Sequence, residues 1–118
     1  FFPETSHAVG PVPVVPYAEP LTQQLADNFE PFIRKYNSFI MEYHGLVTMS
    51  PEGIEYTMMN VELLEMSAYS ILQVLAAGRE LKELSREDIE GLDNVMKQRN
   101  CPMFGAPGVY QSLVELYF

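Results

Sequence analysis

One cysteine, no tryptophan, two histidines and seven basic residues are all that this 118-residue chain holds of those types. Each scarcity removes a class of function. A single thiol, Cys101, excludes an internal disulfide framework and a zinc site built on several cysteines, and it leans towards a reducing compartment. Seven Lys and Arg against sixteen Asp and Glu leave a net charge of −9. Polyanion binding needs clustered cations to displace counterions, so nucleic acid is not an expected partner. Only Arg34-Lys35 and the separated Lys97 and Arg99 come near a basic patch. The same charge disfavours attraction to an anionic membrane and suits a basic partner. No stretch offers the ~20 apolar residues that cross a bilayer as a helix, so integral membrane insertion is not expected. A start at Phe1 rather than methionine is that of a trimmed product or of the ordered part of a longer chain, and it assigns no compartment.

Among the features present, the first twenty residues stand out. Five prolines at positions 3, 11, 13, 16 and 20 lie among Phe1, Phe2, Val9, Val12, Val14, Val15 and Tyr17, with only Glu4 and Glu19 carrying charge. Proline fixes φ, removes an amide donor and drives the preceding residue out of the helical region, so residues 1–20 are expected to be an extended arm rather than a helix. Disordered tails are normally polar, whereas this one has apolar surface to bury against its own chain or a neighbour.

From residue 21 the pattern becomes helical. Leu21, Leu25, Phe29, Phe32, Ile33, Tyr36, Phe39, Ile40 and Tyr43 recur at three- and four-residue spacing, which predicts one long amphipathic helix kinked or restarted at Pro31 and closed by Gly45. Around Ser50-Pro-Glu-Gly53 two readings compete: a turn joining strands 46–49 and 54–58, which is favoured, or a helix capped by Ser50 and opened by Pro51. Asn60 is expected to cap a helix running to Gly78, apolar over most of its circumference and therefore central to the packing. Ser85-Arg-Glu-Asp88 reads as a capping box opening a shorter helix that stops at Asn100 and Pro102. A proline- and glycine-rich loop then leads to a last helix from Val109 to Phe118. The expected fold is a mainly α, small helical domain of three to four helices with a short β-hairpin, residues 21–118 forming a single domain behind the arm.

The residues that carry chemistry give little direction. A hydrolase reading of Cys101 or Ser112 with His44 has no motif behind it, and a histidine in a last helical turn is favoured by the helix dipole anyway. Glu42 and His44 are two apart instead of three, and the pattern is not repeated in Glu62-Leu-Leu-Glu65, so a di-iron bundle site is not formed. Cys101-Pro102 is a two-residue hint of haem ligation, better read as a helix stop with a small buried thiol. Gly105 and Gly108 follow no strand and precede no lysine, so neither phosphate-binding fingerprint is present. No catalytic residue, metal site or cofactor is assigned, and whether the chain is an enzyme stays open.

Two functional readings follow. In the first, the chain is a non-catalytic structural or accessory subunit that joins a protein partner or a homo-oligomer through apolar anchors at both ends: Phe1, Phe2, Val14, Val15, Tyr17, Tyr117 and Phe118. In the second, it is a small ligand-binding or enzymatic domain whose Met- and Tyr-lined pocket is edged by Tyr36, Tyr43, His44 and Tyr69.

Overall fold

The computed structural model describes residues 2–101, 104–106 and 111–118. Among these, the chain is a mainly α, small domain with five helices and one three-stranded sheet. In chain order the elements are α1 (Pro3–Ala8), β1 (Val14–Val15), α2 (Gln23–Ile33), β2 (Ser38–Met41), β3 (Gly45–Thr48), α3 (Ile54–Ala76), α4 (Arg86–Gln98) and α5 (Leu113–Tyr117).

The expectation of an extended segment throughout residues 1–20 is corrected at α1. Pro3 occupies the start of this helix, where the missing amide has no intrahelical partner to lose, and Glu4 and His7 sit at the dipole ends that favour them. No further proline intervenes until Pro11, so one and a half turns form. Val9 is fully buried, and α1 packs on α3 and α4.

Beyond Gly10 the chain is extended and β1 lies at the edge of the sheet, parallel to β2, with Val14 opposite Ile40 and Val15 opposite Met41. The hydrogen bonds run to the carbonyls of Pro13 and Val15 from the N–H groups of Ile40 and Glu42, at 2.9 and 3.0 Å. Pro13 and Pro16 flank the two paired residues of an edge strand rather than lying within it, a position where a missing amide breaks no ladder bond, which explains how they bracket β1.

The single long helix expected from residue 21 to Gly45 is also corrected. Thr22 caps α2 by accepting the Leu25 N–H, but the helix ends at Ile33, and residues 38–48 form an antiparallel hairpin of β2 and β3. Phe39 is fully buried and meets Phe29 of α2 edge to face, with ring centroids 5.5 Å apart. The Ser38 and Thr48 hydroxyls pair across the hairpin at 2.6 Å. The strands proposed at 46–49 and 54–58 are therefore displaced: the first is β3, and the second is the opening of α3. Gly53, at φ 102°, stands at the N-cap and Thr57 returns a hydroxyl to its carbonyl. Asn60, expected as a cap, lies buried inside the helix.

The capping box at Ser85 and Asp88 is present and opens α4. A second one, Ser112 with Glu115, opens α5. Val109 and Tyr110, expected in the last helix, and Pro102, expected to stop α4, lie outside the described residues; Asn100 does turn left-handed there, at φ 54°. Ile89, Met96, Phe104 and Leu113 form the core cluster, joined by Leu84, Leu92, Cys101, Val114 and Leu116.

This core is small for the chain. The accessible surface is 8098 Å² for 13.4 kDa, against about 6,500 Å² for a compact monomer of that mass. The radius of gyration is 15.0 Å, against about 13.5 Å by the usual scaling.

Candidate functional site

Of the elements, α3 exposes the longest run of large apolar side chains among the described residues. Twenty-three residues long, this helix buries only Asn60 completely, while Ile54, Met58, Met66, Tyr69 and Leu72 are between 53 % and 74 % exposed. At 100° per residue, Ile54, Met58, Tyr69 and Leu72 fall in one stripe, with Met66 and Met59 to one side and Leu75 to the other. Among the described elements, the expectation that this helix is the one the others pack on is met chiefly by α1 and β3. The reason is physical: α4 packs on α5 and α1, and α2 packs on β1, so among the described residues no helix remains to cover the rest.

Beside the stripe runs a groove of about 550 Å³ between α1, α3, the start of α4 and the C-terminal residues, walled by Phe2, Val12, Leu64, Ile71, Leu84 and Phe118. Its polar edge is small. Thr5 and Ser67 hydroxyls bond each other at 2.6 Å, leaving α1 pinned to α3. Burial pushes the Tyr117 phenol above its ordinary pKa, partly offset by the Ser6 hydroxyl beside it. Glu83 is the one charged residue in the lining. At the mouth, the Arg86 guanidinium stands 5.1 Å over the Phe118 ring and is paired with Glu90 at 3.1 Å.

The residues expected at an interface divide. Val14, Tyr17, Tyr117 and Phe118 are 40–62 % exposed, Phe2 is half-buried in the groove wall, and Val15 is fully buried in the sheet. Phe1 lies outside the described residues. Phe2, Tyr117 and Phe118 come together at the groove, whereas Val14 and Tyr17 lie away from it, at and just beyond β1.

The residues expected around a His44 pocket do not assemble. His44 and Tyr43 lie in the β2–β3 turn, Tyr43 87 % exposed; Tyr36 lies between α2 and β2, and Tyr69 sits on the outer stripe of α3. The His44 ring stacks on Tyr17 at 5.4 Å, with Nε2 3.0 Å from the Ala18 carbonyl. This contact fastens the segment after β1 to the hairpin turn. The lining of the groove among the described residues includes none of His44, Tyr36, Tyr43 and Tyr69. Among the described residues, no three His, Cys, Asp or Glu side chains gather where they could hold a metal ion. No helix among them is long and apolar enough to cross a membrane.

With this geometry established, the chain was compared with protein-family models, curated proteins and solved structures. None of the three comparisons finds a match.

The stripe on α3 is what sequence reasoning missed, because apolar residues at helical spacing were assigned to the core. The signal was available in the helix inventory. A helix apolar most of the way round needs neighbours on several sides, and the remaining amphipathic segments are too few and too short to supply them.

Proposed function

We propose that the chain is a non-catalytic accessory subunit that packs into a larger protein assembly through exposed apolar surface. The observation that carries this reading is the uncovered stripe of α3. Its support is the run of large apolar side chains, Ile54, Met58, Met66, Tyr69 and Leu72, each more than half exposed on one helix. Large apolar side chains exposed side by side on one face mark interaction sites. Phe2, Tyr117 and Phe118 at the groove, and Val14 and Tyr17 near the sheet edge, extend the contact surface. The reading centred on His44 has less behind it, since that side chain is exposed and engaged in holding the chain's own backbone.

Removing residues 1–20 would take out α1 and β1, so the test uses substitution of surface residues instead. Full-length chain and the Tyr69→Asp/Leu72→Asp variant are compared by light scattering and by fluorescence of a neutral apolar dye. The expected result is dye binding to the folded chain that falls sharply in the variant, with any mass above the monomer lost as well. A chain that stays monomeric at all concentrations and binds no dye would overturn the proposal.

A further inference from the structure

We infer that the α3 stripe and the adjoining groove receive a basic amphipathic helix of a partner protein. This inference rests on the subunit reading above and adds the chemistry of the partner.

The receiving surface is continuous. On the helical wheel of α3, Leu64 and Ile71 wall the groove, Ile54, Tyr69 and Leu72 form the stripe, and Ala68 and Leu75 fall between them, so one band, apolar but for Thr57 and Glu65, spans about half the circumference. A helix of 23 residues presents that band over about 34 Å. This shape suits an occupant that places large side chains at i, i+3 or i+4, and i+7, the helix-in-groove mode, with its bulkiest anchor entering the 550 Å³ groove.

Charge selects the occupant. Helix α3 carries Glu55, Glu62 and Glu65 and not one Lys or Arg. Glu65 lies within the stripe and Glu62 at its margin, and Glu83 lines the groove. The cations closest in sequence are Arg79 and Lys82, in the connection after α3, and Arg86, which is already paired with Glu90. A helix whose apolar face is flanked by Lys and Arg would meet carboxylates along its length. A second copy of this chain would instead bring the same carboxylates to the same face, in a molecule of net charge −9. An anionic membrane is repelled for the same reason.

The experiment titrates full-length chain into a fluorescein-labelled amphipathic peptide of leucine and lysine about five helical turns long, and into its counterpart with every lysine replaced by glutamate. Fluorescence anisotropy is read at physiological salt. The leucine–lysine peptide is expected to bind at least tenfold more tightly. Tyr69→Asp/Leu72→Asp should weaken that binding at least tenfold even though it adds two negative charges, which separates docking from bulk attraction. Tyr69→Ser/Leu72→Ser, which adds no charge, should weaken the binding in the same direction. Glu62→Gln/Glu65→Gln should weaken binding several-fold and flatten its salt dependence.

Equal binding of the two peptides would overturn the basic partner while leaving the subunit reading in place. So would exclusion of both by a stripe-dependent dimer of the chain. Binding of the lysine peptide that ignores the stripe substitutions would overturn the docking site. Binding of neither peptide, by a chain that also fails to bind the apolar dye, would remove both the inference and the reading beneath it.

Discussion

Asp93 of α4 holds the first turn of α5: one carboxylate oxygen accepts the Leu113 N–H at 2.8 Å and the other accepts the Val114 N–H at 3.1 Å. Asp93 and Leu113 are both buried and Val114 is half-buried, so the Leu113 amide in particular has no water to turn to. Since Leu113 is one of the four residues of the core cluster, the carboxylate decides whether the C-terminal segment closes the core. Asp93→Ala should destabilise the fold by about 3 kcal/mol, the loss expected when charge-assisted bonds to buried donors are removed. Asp93→Asn should keep part of this, because its amide oxygen can still accept. Urea unfolding checks both, and a change below about 0.5 kcal/mol in Asp93→Ala, the level of a neutral surface substitution, would contradict the assignment.

The two capping boxes predict an acid dependence. The Ser85 hydroxyl and backbone N–H hold the Asp88 carboxyl below its ordinary value, and the Ser112 N–H and hydroxyl do the same for Glu115, with a smaller contribution from Lys97. A carboxylate whose folded-state pKa is depressed contributes stability fully above its unfolded value, and the contribution is lost as pH falls through the folded one. Helicity followed by circular dichroism should therefore decline as the solution is acidified through the lower carboxylate range. Asp88→Asn/Glu115→Gln should flatten that limb. Ser85→Ala should cost about 1 kcal/mol at neutral pH, as removal of an N-cap serine usually does. An unchanged acid limb in the double variant would contradict the role given to the boxes.

How much of this was legible in the sequence follows the same local chemistry. The Ser85–Asp88 box was readable because its signal lies within four residues and needs no tertiary help. Gly78 was readable as a helix end for a similar reason, at φ 67°. The β2–β3 hairpin was not. Its turn is closed by the His44 N–H on the Met41 carbonyl with Tyr43 at φ 62°, and a tyrosine in that conformation is no recognisable turn signal. Meanwhile Tyr36, Phe39, Ile40 and Tyr43 kept helical spacing through a segment where strand pairing of Ser38–Met41 with β1 and β3 overrode it. Pro3 misled in the opposite direction, since proline breaks a helix interior but opens a helix at its first position. At the candidate site, the apolar residues of α3 were visible and their exposure was not, because exposure depends on what the other helices cover.

Gly10 joins α1 to the extended segment at φ 75°, and a Cβ there would lie 2.9 Å from the Phe104 ring. Phe104 is 3 % exposed and belongs to the core cluster, so the ring has little room to yield. Gly10→Ala combines a left-handed backbone strain with a close contact and should cost about 1–3 kcal/mol. Thermal unfolding of this variant beside Gly91→Ala, where added bulk meets nothing within 4 Å, isolates the effect. The α4 substitution should be neutral or stabilising by up to about 1 kcal/mol. Equal melting temperatures for the Gly10 variant and the unchanged chain would contradict the packing of α1 described above.

The proposal of a partner protein requires that the outer stripe of α3 be left uncovered by the chain itself. The unfolding free energy of Tyr69→Asp/Leu72→Asp, measured against the unchanged chain in urea, tests it most directly. If the stripe is uncovered, the two substitutions should leave stability within about 1 kcal/mol, as exposed sites do. A loss of about 4 kcal/mol or more, the scale of charges forced into a core, would show that the chain buries this face itself and would contradict the account.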